Sequence, residues 1–133
     1  SIGHGYTYSA HPVGAAAALA ALAEIKRLKV HENAAARGAE LLKGCQELFG
    51  KHEIVGDVRG QGLMVALELV SDRATKSAIA KPDIATVFET AYEAGVMVRV
   101  SGNNVILSPP LVLTAPDVTK IVEALDAGLT AAS

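Results

Sequence analysis

Two short stretches of this chain carry side chains suited to holding anions. The first is His4-Gly5-Tyr6-Thr7-Tyr8-Ser9-Ala10-His11-Pro12, which runs straight into Val13-Gly14-Ala15-Ala16-Ala17-Ala18-Leu19. Hydroxyls and glycine-freed backbone N–H groups collect there, at the start of a helix. A helix N-terminus offers unpaired donors and a partial positive charge, so such a turn favours a phosphate or carboxylate. The plainer reading is a loop that feeds a buried helix. The second stretch holds Arg99, the one charge in a run otherwise made of Val96, Met97, Val98 and Val100, just before Ser101-Gly102-Asn103. A guanidinium is a planar fork that meets a carboxylate through parallel hydrogen bonds, and a charge-assisted bond contributes about 1.5–3 kcal/mol. On the residues alone, the commoner fate of a lone arginine is a strand position facing solvent or a structural aspartate.

Other chemistries find less support. His4, His11, His31 and His52 lack metal-ligand spacing and have no Cys or carboxylate partner at a helical offset, so no metal is expected. His4 and His11 are expected to hydrogen-bond within their turn. Ser9 and Ser101 sit outside any Gly-x-Ser-x-Gly setting, with no His/Asp pair to activate them. Gly60-Gln61-Gly62 is half of a dinucleotide fingerprint and precedes a strand, the wrong context. Lys26, Lys43 and Lys81 fall on polar helix faces or in a loop, where nothing would desolvate an amine and make it nucleophilic. Cys45 is the single cysteine, which excludes an internal disulfide and a thiolate cage and suits a reducing cytoplasm. Its expected role is that of a small apolar residue.

The 133 residues are half apolar and carry 12 basic against 14 acidic side chains, a formal net charge of −2. That fits one globular domain. Lysines and arginines are dispersed, and only Tyr6, Tyr8, Tyr92, Phe49 and Phe88 could stack on bases, so nucleic acid is not an expected partner. The apolar run from Pro12 to Ala23 is shorter than the roughly 20 residues of a membrane span and is followed by Glu24, Lys26 and Arg27. It is expected to be a buried protein helix, with no membrane partner. No basic leader or cleavage-site pattern precedes it. The chain opens at Ser1 with its richest motif close behind, which suggests a fragment.

Positioning these groups requires a scaffold that periodicity outlines. Pro12 suits a first helical turn and the alanines favour a helix to about Lys29, bare enough for close approach at a domain bridge or subunit interface. Lys26, Arg27 and Lys29 would complement its C-terminal dipole. Ala35, Ala39, Leu42, Cys45, Gln46 and Phe49 form a stripe that predicts a second helix over 32–49, with Gly50 as its stop. Ile54–Arg59 and Leu63–Val70 read as strands around Gly60-Gln61-Gly62, with Glu68 facing away from Leu67 and Leu69. Residues 71–82 read as a surface loop. Ile84, Val87, Phe88, Ala91 and Tyr92 predict a helix over 83–94. Val96–Val100 and Asn104–Leu107 read as a hairpin. Thr114 should cap a last helix by accepting from the N–H of Asp117, with Val118, Ile121, Val122, Leu125 and Leu129 turned inward. The expected fold is α/β of the α+β kind: a small, mainly antiparallel sheet with helices on one face, preceded by a long Ala-rich helix.

Three stretches, in order, carry a family resemblance: the His4–Pro12 run before its Ala-rich helix, Arg59-Gly60-Gln61-Gly62-Leu63-Met64-Val65-Ala66-Leu67-Glu68-Leu69, and Val98-Arg99-Val100-Ser101-Gly102-Asn103-Asn104-Val105-Ile106-Leu107-Ser108-Pro109-Pro110-Leu111. Together they resemble class III pyridoxal-phosphate aminotransferases, the ω-amino acid:pyruvate group in particular. Ala10 stands where many relatives have Gly. The resemblance implies the C-terminal portion of a fold type I transferase, with residues 1–30 ending the large cofactor-binding domain and residues 31–133 forming the small domain. It implies that Tyr6 and Thr7 lie at the cofactor phosphate, reaching the opposite subunit's site in a homodimer, with Tyr6 also edging the substrate pocket. Arg99 is implied as the substrate-carboxylate residue, which moves aside for substrates without one. Pyridoxal 5'-phosphate is the implied cofactor, and an amino donor and a keto acid such as pyruvate are the implied partners. The lysine that carries the cofactor is implied upstream of His4, so this chain would hold no catalytic residue and would not transaminate alone. β-Alanine, taurine, γ-aminobutyrate and aromatic amines all remain open as donors, and no role attaches to Arg59. The competing reading is a non-catalytic α/β module that docks a carboxylate ligand through Arg99.

Overall fold

A computed structural model describes residues 3–133. Helix α1 (Pro12–Leu28) begins where His11, in extended conformation, accepts from the Gly14 N–H through its Nδ1. Lys29, with a φ of 49°, breaks the chain into α2 (Val30–Lys51). Strands β1 (Val55–Gln61) and β2 (Met64–Asp72) follow, then the two-residue β3 (Ser77–Ala78) and α3 (Lys81–Glu93). Strands β4 (Arg99–Ser101) and β5 (Asn104–Leu107) and helix α4 (Ala115–Ala131) complete the chain.

The sheet runs β1-β2-β5-β4, every pair antiparallel, with β3 attached to the far end of β2. Both hairpins turn on glycines with positive φ, Gly62 at 55° and Gly102 at 60°. Left-handed backbone there costs an L side chain energy but costs glycine little, and it matches the twist of the flanking strands. One face of the sheet presents Val65, Leu67, Val105 and Leu107 to α2, α3 and α4, whose Leu41, Cys45, Leu48, Val87, Leu125 and Leu129 complete the core. A fully buried Leu or Val contributes about 1.5–3 kcal/mol relative to exposure. The opposite face carries no helix among the described residues.

Helix α4 has the capping box that its sequence predicts: the Thr114 hydroxyl accepts from the Asp117 N–H, and the Asp117 carboxylate accepts from Thr114 N at 2.9 Å. Its inward residues are Val118, Ile121, Leu125 and Leu129, with Val122 half-buried.

Four expectations need correction. No residue of α1 is buried: its short alanines make little contact surface, and α2 is the neighbour against which it packs, so Val13 and Leu19 stay exposed. In α2 the buried stripe is Val30, Gly38, Leu41, Cys45 and Leu48, one step round from the expected one, and Ala35, Ala39, Gln46 and Phe49 face solvent. Counting alanines as apolar drew the stripe toward the wrong flank, because alanine buries too little to choose a face. In α3 Tyr92 is exposed. Boundaries also shift: Leu63 belongs to the β1–β2 turn, strand β4 starts only at Arg99, and 71–82 contains β3 and the first two residues of α3. Within that segment Arg73 donates to the carbonyls of Phe49, His52 and Val55 and covers the Phe49 ring at 4.3 Å, so it satisfies the carbonyl end of α2.

Candidate functional site

Residues 3–11 form an exposed turn held by its own atoms. The Tyr6 amide donates to Ser9 Oγ at 3.0 Å, Ser9 N donates to Tyr6 O at 2.9 Å, and His11 N donates to Tyr8 O at 3.1 Å. Ala10 takes a φ of 59°, a left-handed conformation that favours glycine. Of the two histidines, His11 makes the expected local hydrogen bond to Gly14, whereas His4 packs edge-on against the Tyr6 ring at 4.9 Å. Among the described residues the Thr7 hydroxyl has no hydrogen-bond partner, and Tyr6 is 72% exposed.

Arg99 opens β4 and pairs with Ile106 on β5. Alternation turns Val98 and Val100 toward the core and Arg99 away from it, so its guanidinium leaves from the helix-free face. No ion pair or hydrogen bond engages it among the described residues. Beside β4, a cleft of about 540 Å³ runs past Val96, Met97, Pro109, Pro110, Asp117 and Lys120 without including Arg99. No hydrogen bond or ion pair among the described residues joins Arg99 to Tyr6 or Thr7.

A second polar group on the same open face escaped the sequence reading. Arg59 on β1 donates through Nη1 to Asp57 Oδ2 at 2.8 Å and Glu68 Oε2 at 3.1 Å, and through Nη2 to Asn104 Oδ1 at 2.6 Å. The hydrogen bond to Asp57 and then that to Glu68 raise its pKa above the usual arginine value. The signal was available only as register: Asp57 opposes Glu68, and Glu68 opposes Asn104. All the lysines are exposed, and the single cysteine, Cys45, is buried. No group of three or more His, Cys, Asp or Glu among the described residues could hold a metal ion. No helix of the described residues is long and apolar enough to cross a membrane.

The chain is thus an antiparallel sheet backed on one face by helices, with an arginine offered from its open face and a hydroxyl-rich turn ahead of an Ala-rich helix. Residues 1–129 match the family model of class-III aminotransferases, and the chain belongs to that family. It is 38% identical over 131 residues to taurine–pyruvate aminotransferase of Bilophila wadsworthia, a match covering 93% of this chain and 29% of that protein. It is 41% identical over 123 residues to alanine–glyoxylate aminotransferase 2 homolog 2 of Arabidopsis thaliana, covering 90% of this chain and 26% of that one. Among solved structures, an amine transaminase from an uncultivated Pseudomonas species, in its PLP-bound form, superposes with a TM-score of 0.90 at 44% identity, covering 99% of this chain and 30% of that one. The chain thus spans under a third of the length of the relatives it matches.

Proposed function

We propose that the full-length protein is a pyridoxal-phosphate-dependent aminotransferase that moves an amino group from an ω-amino acid or amine to pyruvate or a similar 2-oxo acid. The observation that carries this reading is the unpaired Arg99 guanidinium, offered from the open face of a sheet in a chain of the class-III family. The named relatives use pyruvate and glyoxylate, both small 2-oxo acids with one carboxylate, the group a guanidinium fork fits. Arg99 binds that carboxylate and so orients the carbonyl carbon of the acceptor.

The residues present suit the cofactor's phosphate end and not its reactive end. Thr7 offers an unengaged hydroxyl ahead of α1, and Tyr6 is exposed beside it, so Thr7 holds a phosphate oxygen and Tyr6 lines the neighbouring substrate pocket. Pyridoxal phosphate, when bound, supplies the electron sink and the amino carrier between donor and acceptor. All the lysines of this chain are exposed, and by the family pattern the lysine that tethers the cofactor is expected outside these 133 residues. Accordingly this chain by itself does not transaminate. Residues 1–30 belong to a large cofactor-binding domain and 31–133 to a small domain. The exposed α1 is covered in a homodimer whose subunits share their sites, in the cytoplasm.

The test is alanine formation by the purified full-length protein, supplied with pyridoxal phosphate and pyruvate and offered taurine, β-alanine, γ-aminobutyrate or an aromatic amine in turn. Alanine should appear with at least one donor. Its absence with every one of them removes the proposal.

A further inference from the structure

We propose that Arg59, acting through Asn104, is a positioning residue for Arg99: it locks the β4–β5 hairpin to the rest of the sheet and so aims the carboxylate-binding guanidinium. The proposal rests on the reading of Arg99 given above.

Strand β4 is three residues long and lies at the edge of the sheet, with β5 as its one sheet neighbour. So short an edge strand has few backbone bonds to hold its direction, and the direction of Arg99 follows that of the hairpin. The polar network supplies the missing hold. Arg59 Nη2 grips Asn104 Oδ1 at 2.6 Å. Asn104 Nδ2 in turn donates to Asn103 Oδ1 at 3.1 Å and reaches Ser101 O at 3.5 Å, and Asn103 Nδ2 donates to Leu69 O at 3.0 Å and lies 3.4 Å from Glu68 Oε1. The turn that joins β4 to β5 is thereby tied across β2 to β1. Ser101, whose carbonyl ends this chain of bonds, lies two residues from Arg99 on the same strand face.

Arg59 is not itself a ligand arginine. Asp57 and Glu68 already take its Nη1, and Asn104 takes its Nη2. One cation between two carboxylates leaves a net negative surroundings that would repel a substrate carboxylate. The two arginines therefore differ in kind, although the register sets Arg59, Ala66, Ile106 and Arg99 in one cross-strand row.

The experiment uses the full-length enzyme with Arg59→Gln, Asn104→Ala and Arg99→Ala, singly and in pairs. The readouts are KM for pyruvate, KM for propanal as an acceptor without a carboxylate, and the Kd of propionate by calorimetry. Arg59→Gln and Asn104→Ala should each raise the pyruvate KM and the propionate Kd about three- to tenfold, the size of one surface hydrogen bond's effect, and leave the propanal KM unchanged. Neither should add to the loss in the Arg99→Ala background, and the two together should equal either alone. A loss shared equally by pyruvate and propanal, or one that persists without Arg99, overturns the positioning role while leaving Arg99 in place. If Arg99→Ala leaves pyruvate and propionate binding intact, the reading of Arg99 falls and the positioning role with it. Should Arg59→Gln fail to fold, Asn104→Ala decides the matter, since it removes one side-chain amide from the sheet surface.

Discussion

Arg59 and Arg99 face the same way from the two opposite edges of one sheet, separated by Ala66 and Ile106 in a single row of paired residues. At about 4.8 Å per strand their backbones stand roughly 14 Å apart, so each works in its own electrostatic setting. Two carboxylates and an amide engage Arg59, whereas Arg99 is engaged by none of the described side chains. This asymmetry is what suits Arg99, rather than Arg59, to the carboxylate-binding role proposed for it.

Replacing Arg99 with Ala in the full-length enzyme should therefore raise the KM for pyruvate about tenfold to a hundredfold, the equivalent of one charge-assisted interaction of about 1.5–3 kcal/mol. Turnover of a simple amine with an aldehyde acceptor should be nearly unchanged. Steady-state kinetics on the two substrate pairs measures the contrast, and equal losses for both would remove the assigned role.

Gly38 and Gly50 share a helix and should respond oppositely to alanine. A Cβ at Gly38 would collide with the carbonyl carbon and oxygen of Gly62, backbone atoms that cannot swing away, whereas a Cβ at Gly50 meets nothing within 4 Å. Gly38→Ala should force α2 off the β1–β2 turn and cost about 1–3 kcal/mol, the usual range for overpacking. Gly50→Ala should gain about 0.5 kcal/mol by stiffening the unfolded chain and improving helix propensity. Denaturant midpoints of the two variants check the pair, and a shift of the same sign in both would refute the packing account.

Asp126 bridges two elements: its carboxylate accepts from Lys51 Nζ at 2.6 Å and lies 2.6 Å from His52 Nε2, in a ring that is 7% exposed. Lys51 first, then His52, hold the Asp126 carboxyl below the usual carboxylate range. A depressed folded value means that this stabilisation is present above the unfolded value near pH 4 and is lost as pH falls through the lower folded value. Asp126→Ala should cost about 1–3 kcal/mol at pH 7, chiefly by stranding the buried His52 nitrogen, because solvent screens the exposed Lys51 pair. Thermal unfolding of wild type and variant from pH 7 down to pH 2 should show the gap narrowing below about pH 4. A gap of constant size across that range would contradict the linkage.

Burial alone pushes the Cys45 thiol up to about 12. At pH 8 roughly one thiol in ten thousand is then a thiolate, the reactive form. Iodoacetamide should leave Cys45 unmodified in the native protein and alkylate it fully in denaturant, as followed by mass spectrometry of its peptide. Rapid native labelling would show that α2 opens from the sheet.

Local chemistry made several elements legible without the fold. Thr114 and Asp117 define a cap within four residues, Pro12 and the alanines define a helix start, and Gly102 between turn formers defines a hairpin; each is decided by atoms close in sequence. The motif around Tyr6 and Thr7 and the run around Arg99 were recognisable for the same reason. The face that α2 buries was not, because Leu41 and Leu48 win over Ala35 and Ala39 only once β1, β2 and α4 set how much apolar area each side can cover.

By itself, then, the sequence determined where helices and turns begin, that Arg99 is a lone cation in an apolar strand, and which family pattern the chain follows, all from bonds and steric limits that act over a few residues. Only the tertiary structure decided that α1 is left bare within this chain and that Arg73 closes the end of α2. It alone showed that Asp57, Glu68 and Asn104 converge on Arg59 while Arg99 stays unengaged. These outcomes turn on strand register and helix packing, which bring residues 45 positions apart within hydrogen-bonding distance and leave no local trace in the chain.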